Sequence, residues 1–77
     1  MSIYKVRIKT EGCKTVYTTN SHTHLTIMHN ATTGKYELST PKCVKVFDTA
    51  EEADKIAREK ITALFTSLGI VPNFIDE

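Results

Sequence analysis

The hydrophobic period of this chain changes once, at Asp48, and that change limits the fold more than any other feature. Before it, apolar residues recur at every second position in short runs. After it, they recur at every third and fourth. Side chains alternate across a strand and line up every 3.6 residues on a helix. The chain therefore divides into a β half and an α half.

The β half opens with "IYKVRIKT", in which Tyr4, Val6 and Ile8 face one way and Ile3, Lys5, Arg7 and Lys9 the other. That is the pattern of a half-buried strand. "TEGCK" is a glycine turn, and "KTVYTT", rich in β-branched residues, is a second strand returning antiparallel. "HLTIMHNA" and "KYELST" form a hairpin across "TTGK". Pro41 ends the fourth strand, and "CVKVF" is a short fifth, expected at an edge.

The α half, "DTAEEADKIAREKITALFTSLG", is an amphipathic helix expected over about 50–68. Thr49 and Glu52 form a capping box, with Asp48 as an alternative N-cap. Ala50, Ala53, Ile56, Ala57, Ile61, Leu64, Phe65 and Leu68 make a broad apolar stripe. Glu51 with Lys55, and Asp54 with Arg58, are i,i+4 pairs. Gly69 stops the helix and Pro72 follows. Residues 70–77, "IVPNFIDE", read as an extended tail that docks on the domain or on a partner. The economical arrangement is one two-layer α+β domain over 1–77. Four to five antiparallel strands pack one face on one C-terminal helix, and the other face stays open to solvent.

Length restricts function. A 77-residue chain hides only about 60–65% of its unfolded surface, and an enclosed pocket would consume much of its core. Binding at the surface is favoured over catalysis. No 18-residue apolar run is present, so no membrane span is expected. "MSIYKVRIKTEG" lacks the apolar core of a signal peptide, which points to a cytoplasmic location. Cys13 and Cys43 read as free thiols, and a bridge between them would need neighbouring strands.

All three histidines fall in "NSHTHLTIMHN". His22 and His24 are two apart, a feasible metal pair on a strand, but the spacing to Cys13, Cys43 or His29 matches no common ligand pattern. The better reading is an exposed turn and strand end. No nucleophile stands beside an oriented base. Neither an enzyme nor a cofactor is expected.

The net charge of +1 hides an asymmetry. Residues 1–47 hold seven basic and two acidic residues, and residues 48–77 hold three basic and seven acidic. Two binding classes follow. The first is a protein-binding module that meets its partner through the acidic helix residues Glu51, Glu52, Asp54 and Glu59 and through Phe74 of the tail, or that pairs through an edge strand as a homodimer. A small viral or mobile-element inhibitor that blocks a host factor would have this make-up. The second is a nucleic-acid module that sets Lys5, Arg7, Lys9, Lys14, Lys35 and Lys45, with interspersed threonines, against phosphates. The strand-to-helix junction "KVFDTAEEADKIAREKI" resembles that of the arm-type DNA-binding domains of phage integrases. Phe47, Thr49, Glu52 and Ala53 match their F-x-T-x-x-E-A segment. The resemblance implies DNA contact by the sheet in front of the helix. The glycine and aromatic pattern of that family's first hairpin is not present here.

Overall fold

In a computed structural model of the chain, which describes residues 2–19 and 22–77, five strands precede the helix and one follows it. They are β1 (Ser2–Glu11), β2 (Lys14–Thr19), β3 (His22–Asn30), β4 (Lys35–Ser39), β5 (Val44–Phe47), α1 (Ala50–Ser67) and β6 (Ile70–Asp76). The sheet order is β5-β4-β3-β2-β1-β6. Every pairing is antiparallel except that of β6, which lies parallel to β1 with Val6 opposite Phe74. This is a small single α+β domain, one helix on a mostly antiparallel sheet.

The sixth strand corrects the reading of residues 70–77 as a tail. Pro72 and Asn73 disfavour a strand, yet proline is tolerated on an edge, where half of the N–H groups have no ladder partner. The Glu77 N–H donates to the Ile8 carbonyl at 2.9 Å and continues the pairing. Because β5 and β6 lie at opposite edges, α1 must cross the sheet. Eighteen residues span about 27 Å, close to the ~24 Å width of six strands.

The core follows from the two periods. Val6 and Ile8 of β1, Tyr17 of β2, Leu25 and Ile27 of β3 and Leu38 of β4 meet Ala53, Ala57, Ile61 and Phe65 of α1. Those four helix residues are spaced by four and form one row. Leu64 and Leu68 flank that row and stay largely exposed, as does Ala50. The apolar stripe is thus wider than the strip that one helix can press on a sheet. Thr49 caps α1 by accepting from the Glu52 N–H at 3.2 Å. At the other end Gly69, at φ 73°, donates its N–H to the Thr66 carbonyl at 3.1 Å. Left-handed φ is open to glycine at no steric cost.

A polar chain joins the layers. The fully buried Tyr17 donates its hydroxyl to Asp54, whose carboxylate accepts from Arg58 Nε at 3.0 and 3.1 Å. Arg58 also reaches Asp76 at 3.3 Å, and its guanidinium lies 5.2 Å from the Phe74 ring centroid. The expected Asp54–Arg58 pair is therefore tied into the sheet. Burial first, then the bond to Asp54, push the Tyr17 pKa far up, so it remains a donor. Among the described residues no buried side-chain nitrogen or oxygen lacks a partner.

Tyr17→Phe removes one hydrogen bond to a charged acceptor and should cost about 2 kcal/mol. Asp54→Ala should cost at least ~1 kcal/mol more, because it leaves the buried Tyr17 hydroxyl without an acceptor. Urea unfolding of the two variants checks the order.

Candidate functional site

The two faces of the sheet divide the expected site residues. On the open face β1 presents Lys5, Arg7 and Lys9, and β2 presents Lys14, which stands opposite Glu11 in the strand register without an ion pair between them. All four are exposed, and the alternation with buried Val6 and Ile8 puts them there. Two are engaged: Lys9 with Glu11 at 3.0 Å and Arg7 with Glu77 at 4.0 Å. Lys35, at the start of β4, is bound to Asp48. Lys45 pairs with the buried Leu38 and so faces the helix side of the sheet. The six basic residues therefore do not form one field. Only Lys5 and Lys14 of the open-face set have no carboxylate partner among the described residues.

The same face carries an apolar area that sequence reasoning passed over. Val44 and Val46 of β5 are 60% and 57% exposed, and Met28 lies two strands away, opposite Glu37. The alternation Val44-Lys45-Val46-Phe47 held the signal, since Phe47 alone of the four packs on the core.

The acidic helix face separates too. Glu51, Glu52 and Glu59 are exposed, and Glu52 serves the Thr49 cap. Asp54 is half-buried in the polar chain. Phe74, half-buried under Arg58 and against the core, belongs to the domain's own packing. The Glu51–Lys55 pair is not formed.

A cleft of about 410 Å³ opens beside the polar chain, floored by Ile8, Tyr17 and Ile27 and walled by Asp54, Arg58 and Asp76. Its charged groups already bind one another. Cys13 and His29 line its rim, joined through the His29 N–H to the Cys13 carbonyl at 2.8 Å. The two cysteines are exposed free thiols. Strand directions put Cys13 at the β1–β2 turn and Cys43 at the opposite end of the sheet, so no bridge can join them.

A register shift places the histidines. Tyr17 pairs with Leu25, but Thr18 pairs with Thr23, so His24 is an extra residue in β3. Such a bulge re-aims a side chain. His24 turns to the helix side, where it bonds the Thr19 hydroxyl, meets the Phe65 ring edge-on at 5.5 Å and lies 5.1 Å from the His22 ring. Asn20 and Ser21, expected in the turn before it, lie outside the described residues. Among the described residues no three His, Cys, Asp or Glu side chains converge to hold a metal. No helix there is long and apolar enough to cross a membrane.

Burial, and then the charge of His22, hold His24 below the ordinary imidazole value. The unfolded chain therefore takes up this proton first. Stability should be full at neutral pH and fall as the pH drops below about 6.5 and through the folded value. His24→Gln should flatten that part of the profile, as read by urea midpoints between neutral and mildly acidic pH.

No protein family, curated protein or solved structure matches this chain, so its functional reading rests on its own surfaces.

Proposed function

We propose that this chain is a non-enzymatic protein-binding module that accepts an extended strand of its partner on the free edge of β5. The observation that carries the reading is the exposed, regular edge at Val44–Phe47, which holds no proline or bulge. The Thr40 N–H donates to the Cys43 carbonyl at 2.9 Å, making a hydrogen-bonded pair. Pairs alternate along an antiparallel ladder, so Leu38 and Lys45 are bonded and Glu37 and Val46 are not. The N–H and C=O groups of Val44 and Val46 therefore point away from β4. An added strand gains main-chain hydrogen bonds from them and apolar contact with both valine side chains. The other edge is poorer, because Pro72 of β6 has no N–H to offer.

Lys45 restricts the partner. Like charges directly opposite are destabilising in a sheet, so the facing strand carries an acidic or neutral residue there. A second copy of the chain satisfies this with Val46 opposite Val46, which sets Lys45 against Phe47, or with Val44 opposite Val44, which sets it against Cys43, but not with Val44 opposite Val46, which sets Lys45 against itself. A module that occupies another protein's exposed strand is suited to blocking that protein.

A second reading, nucleic-acid binding, is favoured by one observation: Lys5, Arg7, Lys9 and Lys14 share the open face. It is weakened by the pairing of Arg7 and Lys9 with Glu77 and Glu11.

Amide-shift titration with short alternating peptides separates the readings. A peptide with glutamate opposite Lys45 should shift the amides of Val44–Asp48, a lysine version should not, and Val44→Lys with Val46→Lys should abolish the effect. Silence at β5 with every strand peptide at millimolar concentration would sink the proposal. Random duplex that shifts Lys5 and Lys14 at low salt, with the effect lost near ~0.2 M salt, would replace it with the nucleic-acid reading.

A further inference from the structure

A second surface, on the helix side of the sheet, adjoins the start of β5 at Cys43. Between the C-terminal half of α1 and the start of β3 lies an open groove of about 490 Å³. Its apolar surface comes from Leu25, Ile61, Ala63, Leu64 and Pro41. Leu25 and Ile61 are core residues whose edges form the floor, whereas Leu64 is 48% exposed on the wall. Leu68, one turn further along α1 and 64% exposed, extends the apolar line beyond the groove. These leucines, at i and i+4, stand outside the core row that α1 presses on the sheet.

The standing charges around this groove, Lys42 and Lys60, share one sign. His22 and His24 line it too, and among the described residues no aspartate or glutamate does. Neither lysine belongs to an ion pair among the described residues. Arg7, Lys9, Lys35 and Arg58 each hold a carboxylate. Lys5, Lys14, Lys45 and Lys55 are unpaired among the described residues as well, and what distinguishes Lys42 and Lys60 is that both line one apolar groove. Two unneutralised lysines beside exposed leucines leave both charge and apolar surface unmatched, and a ligand that is acidic and apolar together satisfies both.

We infer that this groove binds an acidic amphipathic segment of a partner protein, with its apolar side chains on Leu64 and the groove floor and its carboxylates on Lys42 and Lys60. The open trough along α1 suits a peptide segment, and the unpaired lysines select its sign. The β5 edge reads main-chain hydrogen bonds, while the groove reads side chains, so either surface works without the other.

The test uses a synthetic helical peptide with leucines at i, i+3, i+4 and i+7 and glutamates between them. Two controls accompany it, one with lysine for each glutamate and one with serine for each leucine. Binding is read by amide shifts and by fluorescence anisotropy on the full chain. The acidic peptide should shift Leu25, Lys42 and Leu64, and both controls should bind at least tenfold more weakly. Lys42→Glu with Lys60→Glu should weaken the acidic peptide at least tenfold and favour the lysine version. Leu64→Asp should weaken it comparably through the apolar wall. These side chains lie outside the core, and unchanged amide shifts of Val6 and Ile8 confirm folding. Val44→Lys with Val46→Lys should leave this binding unaltered, which separates its outcome from that of the edge-strand reading. Equal binding of the lysine peptide, indifference to the double charge reversal, or no shift up to millimolar peptide would each overturn the inference.

Discussion

One helix can cover only one face of a sheet, and every surface of this protein follows from that limit. The row Ala53, Ala57, Ile61 and Phe65 presses on Val6, Tyr17, Leu25 and Leu38 and closes the single core. The row sets two alanines in the N-terminal half of α1 and the larger Ile61 and Phe65 in its C-terminal half, all four buried. The polar chain from Tyr17 through Asp54 and Arg58 to Asp76 then ties α1 to a central strand and to an edge strand. Buried polar groups carry weight in a small domain because leaving one unmatched costs as much as losing a good apolar contact. This chain sets the position of the helix as well as adding to stability.

What the helix leaves uncovered is where binding has to occur. The open face, the β5 edge and the groove beside Leu64 are three results of one helix crossing six strands. They differ in charge state. On the open face Glu11 and Glu77 answer part of the basic charge, which lowers the field that phosphates would meet. At the groove the basic residues stand without acids, next to exposed apolar surface. The edge offers backbone groups. Main-chain pairing and side-chain selection are separable contributions, and a small protein can use both.

The strands before Asp48 and the helix after Thr49 were legible because each has its own period and its own stop signals: Gly12, Gly34 and Pro41 for the strands, Thr49 and Gly69 for the helix. β5 was legible as an edge strand from its shortness after Pro41. β6 was not, because Ile70–Asp76 has no clean alternation and contains Pro72; its strand conformation comes from the ladder with β1. The inward role of Asp54 was only half legible. Its spacing to Arg58 shows in the sequence, but Tyr17 lies 37 residues away. Arg7 and Glu77 are at opposite ends of the chain and meet because β6 returns beside β1. The bulge that turns His24 to the helix side leaves no mark in composition or period.

By itself the sequence determined the two layers, the single helix with its caps, and the side of β1 that faces the core. These depend on periodicity and capping, which act over a few residues. Only the tertiary structure decided the sixth strand, the division of the charges into paired and unpaired, the separation of Cys13 from Cys43 and the groove at Leu64. Those depend on which distant segments become neighbours, and strand order brings that about through pairing rather than through any local preference.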